Sequence, residues 1–200
     1  YNGIRQFTAV ILSFIGIEFL LNDKIIKFII LERIITMETV KHEIPPVYDK
    51  NSKILILGSF PSVKSRENQF FYHHTQNRFW KVLSGVVGCD IPVTIDDKKE
   101  FLLNNNIAVW DVIASCEIEG SSDSSIKNVV VNDLNKIIDT CDIKQIFCNG
   151  GKSFELYKKY CEKNTNLKAI KLPSTSPANA RFSLEKLTNE WQIIKNFLYQ

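Results

Sequence analysis

The chain has 200 residues, 44% of them hydrophobic and 24% charged, enough apolar material for one globular domain with a real core. Its net charge of +3 excludes a polycationic nucleic-acid arm, so any basic footprint must be local. Five cysteines without a Cys-x-x-Cys pair support neither a disulfide framework nor a zinc or iron–sulfur site. They read as free thiols of a cytoplasmic protein, and no metal or cofactor is expected.

Residues 1–36 are rich in Ile, Phe and Leu without an amphipathic period. The most apolar run, Ala9 to Leu21, contains Glu18 and is shorter than the ~20 residues of a membrane span. No basic leader or small-residue cleavage site is clear. The single methionine is Met37. We read 1–36 as an upstream or non-native extension and 37–200 as the functional domain. The rival reading is an uncleaved membrane anchor.

Beyond an extended lead-in at Pro45-Pro46, Lys53–Leu57 is a short β-branched run bounded by Gly58, hence a buried strand. Asn77–Val87 carries Phe79, Val82, Leu83 and Val86 at helical spacing and stops before Gly88. Asp96–Asn105 predicts a helix with an acidic start, and Ile107–Ile113 a second buried strand. Glu117–Lys127 is the longest polar loop. Asn132-Asp133 to Ile138 predicts a helix with a good N-cap. Lys144–Cys148 is a third strand that ends in Asn149-Gly150-Gly151, followed by a helix over Lys152–Cys161. Lys168–Leu172 is a fourth strand, and Leu184–Leu198 a closing helix. Strands alternating with helices predict an α/β fold. The expected architecture is a three-layer α/β/α sandwich with a central, mostly parallel sheet of about four strands.

Two small-residue loops follow strands: Gly58-Ser59-Phe60-Pro61-Ser62 and Leu172-Pro173-Ser174-Thr175-Ser176-Pro177-Ala178-Asn179. Loops at the carboxyl ends of parallel strands bind ligands. Backbone donors and hydroxyls suit phosphates, and the neighbouring aromatics and amides suit a nucleobase. Together with His74-x-x-Asn77-Arg78-Phe79-Trp80, these segments resemble, in this order, the motifs of the uracil-DNA glycosylase superfamily. They are most similar to its hypoxanthine-DNA (DNA-deoxyinosine) glycosylase branch. The resemblance runs from about Met37 to the C-terminus. It implies a monomeric, monofunctional enzyme of base excision repair that flips a deaminated base out of DNA and hydrolyses its N-glycosidic bond without a cofactor. The alternatives are a uracil or thymine glycosylase of the same fold and a non-catalytic nucleic-acid-binding module.

The resemblance also distributes roles. Relatives carry Asp or Asn at the position of Phe60, where it handles water. Phenylalanine cannot do so; the deoxyinosine branch likewise lacks that residue, and the resemblance implies instead the Asn of its Asn-x-Phe-Trp motif, Asn77 here, with a helix cap as the alternative reading. His74 is the second catalytic candidate, protonating the leaving base or holding a phosphate. Tyr72, by stacking, and Phe60, Ser59 and Asp111 are the base-binding candidates. An ionised Asp111 would accept from N1–H of hypoxanthine and repel the N1 lone pair of adenine, or it caps a turn. Ser62, Ser65, Ser174, Ser176, Pro177, Ala178, Asn179 and Arg181 are the expected DNA contacts, with the wedge that fills the vacated stack among Pro177, Ala178 and Asn179. Ser124, Ser125 and Lys127 could add contacts from the polar loop. Asn149-Gly150-Gly151-Lys152 is a candidate anion turn. Phe79 and Trp80 are expected in the core.

Overall fold

Four apolar runs become four parallel strands. The computed structural model describes residues 22–27 and 39–199, and the chain divides into two units, residues 1–38 and 39–200. Of the first unit only a helical stretch over 22–27 is described, so the rest of the leading segment, and both readings of it, lie outside the described residues. Among the described residues no helix is long and apolar enough to cross a membrane.

In the second unit, β2 (Ile54–Gly58), β3 (Ile107–Asp111), β6 (Gln145–Asn149) and β7 (Ala169–Leu172) form one sheet in the order β3-β2-β6-β7. All three pairings are parallel. β2 and β3 are buried along their whole length, which explains why they read as unbroken apolar runs rather than alternating ones. Helices flank the sheet, as expected: α3 (Ile95–Asn104) packs on β3, α5 (Gly151–Tyr160) on β6 and β7, and α2 (Phe79–Val87) on α7 (Leu184–Trp191). The apolar face of α2 is buried at Phe79, Trp80, Val82, Leu83 and Val86, and Gly88 ends the helix with φ of 81°. α3 starts with a reciprocal capping box between Thr94 and Asp97.

Several elements differ from expectation. The strand over Ile107–Ile113 is two strands. β3 ends at Asp111, and β4 (Ile113–Glu117) leaves for a second, antiparallel sheet with β1 (Thr39–Lys41) and β5 (Lys127–Val131), in the order β1-β4-β5. Asn132 Nδ2 donates to the carbonyls of Asp111 and Ile113 and so clamps the crossing point. The helix expected from Asn132 therefore starts late, as α4 (Asn135–Ile138), with no side-chain cap at Leu134. A short α1 (Val63–Glu67), capped by Ser62, was not foreseen, nor was α6 (Glu162–Thr165) after α5. The closing helix tightens to a 3₁₀ turn over Gln192–Ile194 before α8 (Lys195–Leu198).

Candidate active site

The carboxyl ends of the parallel strands place Gly58, Asp111 and Asn149 side by side, with the loop after β7 beside them. The chain order reverses between β2 and β6, and ligands of open α/β sheets bind at such a switch point. A pocket of about 300 Å³ lies here, lined by both small-residue loops, Tyr72, His74, Asn77, Asp111, Asp123 and Asn149.

The floor is built around Gly58, which pairs with Asp111 across β2 and β3. A side chain at 58 would collide with the Asp111 carboxylate and crowd the Tyr72 hydroxyl, so only glycine admits both groups. Tyr72 sits at φ of 51° with its ring stacked on Phe79, centroids 3.7 Å apart. Phe79 thus takes one face of the ring expected to stack on a base, while the hydroxyl reaches the floor. Asp111 Oδ2 and the Tyr72 hydroxyl are buried without a hydrogen-bond partner among the described residues, and buried polar groups are costly to leave unpaired. Burial, then the charge of Asp123, pushes the Asp111 carboxyl up to about 7. Burial and Asp111 also raise the Tyr72 hydroxyl, against a smaller pull from the nearby Asn149 amide. The sequence reading took Asp111 in its ionised form; with its carboxyl held well above the ordinary carboxylate range, the protonated form also comes within reach near neutral pH.

Thr175 joins the two loops. Its N–H donates to Asn149 Oδ1 (2.9 Å), Asn149 Nδ2 donates to its hydroxyl (2.9 Å), and that hydroxyl donates to Asn77 Oδ1 (2.9 Å). Asn77 Oδ1 also accepts from the Phe79 N–H at 3.0 Å. Asn77 therefore both ties down the start of α2 and lines the pocket, and its Nδ2 has no partner among the described residues. Arg78 clamps the Ser174–Phe182 segment: its guanidinium donates to the carbonyls of Thr175, Ser176 (2.8 Å), Asn179 (3.1 Å) and Phe182. Trp191 Nε1 donates to the Pro173 carbonyl and anchors the same loop from α7. Sequence reasoning missed the roles of Asn149, Thr175 and Arg78. Each stood inside a quoted motif, but no local pattern tells which carbonyl or hydroxyl lies across a loop.

At the rim, Ser59 Oγ donates to Asp123 Oδ1 at 2.7 Å. Phe60 lines the pocket with its ring between the His42 ring (5.3 Å, edge-on) and the Arg66 guanidinium (5.4 Å). His74 Nδ1 accepts the Gln76 N–H, so its neutral ring carries hydrogen on Nε2. Ser62 is spent on capping α1. Ser65 is buried at the pocket wall, with its hydroxyl accepting from Ser62 Oγ and the His73 N–H, so it orders the loop.

Ser174, Ser176 and Pro177 line the pocket, while Ala178, Asn179 and Arg181 line an adjoining groove. Pro177 and Ala178 are exposed at the loop tip, whereas Asn179 Nδ2 is tied to the Ser174 carbonyl. The groove also holds Lys171 and Lys186, together with the carboxylates of Asp123 and Glu190, so with Arg181 its lining carries only a small basic excess. Ser124, Ser125 and Lys127 line neither cavity. The Ser125 hydroxyl donates to the Ser122 carbonyl. The Gly150 N–H points at the carbonyls of Cys148 and Leu172 and is not free for an anion.

The Uracil DNA glycosylase superfamily profile matches residues 45–198. The chain belongs to that superfamily. A protein of Methanosarcina acetivorans named Hypoxanthine DNA glycosylase is 32% identical over 156 residues, 78% of this chain and 98% of that protein. A second, from Methanosarcina barkeri and of the same name, is 36% identical over 117 residues, 58% of this chain and 74% of that protein. The solution NMR structure of a Methanosarcina acetivorans protein, described as a candidate uracil DNA glycosylase, superposes with a TM-score of 0.68 at 32% identity, covering 82% of this chain and all of that one. Within this glycosylase chain, the matched residues take in both loops and every residue of the pocket.

Proposed function

We propose that this glycosylase removes hypoxanthine from DNA by hydrolysis of the N-glycosidic bond after flipping the damaged nucleotide. The observation that carries the base choice is the pair of unpartnered polar groups on the floor, Asp111 Oδ2 and the Tyr72 hydroxyl. Hypoxanthine presents N1–H as a donor and O6 as an acceptor. Asp111 accepts from N1–H, and Tyr72 donates to O6. Adenine presents a lone pair at N1 and an amine at C6, which reverses both hydrogen bonds. The names of the two Methanosarcina relatives support the same substrate.

Hydrolysis passes through a transition state with positive charge on the sugar, as in other glycoside cleavage. Asn77 Nδ2 donates to the oxygen of the attacking water and holds it, and His74 Nε2–H donates to the departing base or a flanking phosphate. Phe60 forms an aromatic wall, and Ser59 holds the rim. The DNA strand lies along the groove of Lys171, Arg181 and Lys186, with Ser174 and Ser176 on its phosphates. Pro177 and Ala178, at the exposed tip, fill the stack that the flipped base leaves. The functional unit is residues 37–200, acting as a cytoplasmic monomer.

The test is incubation with labelled duplexes that carry one inosine, uracil or xanthine, followed by alkaline cleavage of abasic sites. Strand breaks at inosine above those at uracil support the reading. Breaks at uracil alone overturn the base choice.

A further inference from the structure

The pocket contains an amide that can hold water, and His74, whose Nδ1 already accepts the Gln76 N–H, has no free acceptor to take the water proton. Asn77 Oδ1 already accepts two hydrogen bonds, and its remaining Nδ2 only donates. Phe60 offers no acceptor. Asp111 lies at the floor, 3% exposed, where the base edge sits, away from the sugar of a flipped nucleotide. Asp123 stands elsewhere. With Ser174 and Ser176 it is one of three residues that line both the pocket and the groove. A strand in the groove with its base in the pocket puts the deoxyribose at that junction.

Asp123 is also held in place. Ser59 Oγ donates to its Oδ1, leaving Oδ2 without a partner among the described residues. Ser59 is fixed in turn, because its carbonyl accepts from the Ile113 N–H. Two residues before Asp123, Ser121 Oγ accepts from the Val63 N–H at 3.0 Å and pins the loop to the start of α1. The polar loop thus delivers a carboxylate to Ser59 at the pocket mouth.

We propose that Asp123 is a catalytic residue of the hydrolysis, taking the proton of the attacking water and facing the sugar cation from the mouth of the pocket. The water oxygen bonds to C1′ as the C1′–N9 bond breaks. The bonding pair leaves on the base, which takes up a proton from solvent. The water proton passes to Asp123 Oδ2 and then to solvent, so atoms and charge balance. Asp123 keeps solvent exposure; partial desolvation nevertheless raises its carboxyl, while the Ser59 hydrogen bond and Lys152 pull it back. The upward direction suits a group that accepts a proton near neutral pH. This assignment rests on the hydrolytic reading above.

The experiment is single-turnover excision on the inosine duplex, or on whichever duplex the wild type cuts, with affinity measured separately on a non-cleavable 2′-fluoro duplex. Asp123→Asn, which keeps shape and loses the charge, should slow excision by about 10²-fold or more. Affinity should hold or tighten, since a negative charge beside phosphates is removed. Asp123→Glu should recover at least tenfold of the lost rate, and Ser59→Ala should cost about three- to tenfold. An Asp123→Asn rate within threefold of wild type overturns the assignment. So does a loss of affinity as large as the loss of rate, which would make Asp123 a binding or folding group. If Asp123→Asn melts below wild type, the comparison of Asp123→Glu with Asp123→Ala decides by the same thresholds. A wild type inert on every duplex overturns the hydrolytic reading itself, and this assignment with it.

Discussion

The Asp111 carboxylate occupies the space where a side chain on Gly58 would stand. The two residues pair across β2 and β3, so neither strand can move aside without breaking the ladder. Gly58→Ala should therefore displace Asp111 and the Tyr72 hydroxyl together. We expect a loss of about 1–3 kcal/mol in stability, the usual cost of overpacking a closed site, and a drop in excision beyond what that loss explains. A denaturant melt with a single-turnover assay in native buffer checks both. An active, normally stable Gly58→Ala protein would show that the floor is looser than described.

Asp111 makes stability and base choice depend on pH. Its folded-state pKa of about 7 lies above its ordinary 3.8, so the folded protein binds more protons than the unfolded one between those values. Its contribution is fully present below pH 4 and is lost as pH rises through 7. The difference is on the order of 4 kcal/mol. Asp111→Asn should flatten the fall in melting temperature between pH 5 and pH 8. The wild-type rate on inosine should rise through about pH 7 as the acceptor ionises. In Asp111→Asn the inosine-to-uracil rate ratio should drop, because an amide serves either edge. An unchanged ratio would leave Asp111 a structural residue.

Asn77→Ala removes the Nδ2 donor from the pocket and the acceptor that joins Thr175 to the start of α2. Excision should fall about 10²-fold or more, as for a lost water-positioning or electrostatic group. Affinity for inosine DNA should change much less. Stability should fall by roughly 1 kcal/mol for the lost acceptor at the helix start. A variant that cuts at wild-type speed while losing only stability would reduce Asn77 to a cap.

Arg78→Lys keeps the charge but cannot span the carbonyls of Ser176, Asn179 and Phe182 at once, since an ammonium lacks the planar fork. The DNA-facing loop should loosen. We expect the duplex concentration for half-maximal rate to rise roughly tenfold, as one or two hydrogen bonds of about 1 kcal/mol each are lost, with a smaller change in maximal rate. Titration of substrate under single-turnover conditions separates the two. An equal loss in both would place Arg78 nearer the chemistry.

A protein spanning Met37–Gln200 should melt cooperatively and excise inosine at the full-chain rate. The matched superfamily region begins at residue 45, and the second unit begins at residue 39. Failure of this truncation to fold would make residues 1–36 integral.

The apolar runs at Ile54–Leu57, Ile107–Trp110 and Ile146–Cys148 were legible as strands because burial on both faces leaves no alternation to mistake for something else, whereas Ala169–Leu172 at the sheet edge keeps Lys171 exposed. The order of the motifs carried the family, and the spacing of Phe79, Val82, Leu83 and Val86 carried α2. The break at Val112 was not legible, since both strands it separates are apolar and only the clamp by Asn132, 20 residues on, shows where one sheet ends. Asp123 was hidden for a related reason. Nothing in Gly120-Ser121-Ser122-Asp123 distinguishes a solvated loop from one folded over Ser59, and the contact that decides it spans 64 residues. Protonation of Asp111 was likewise beyond reach, because identity sets a carboxyl's ordinary range while burial and a neighbouring charge move it. Local chemistry written along the chain determined the four central strands, the main helices, the family and the candidate residues. Which atoms of those residues remain free for a substrate was decided by partners distant in sequence, brought together only when the sheet closes.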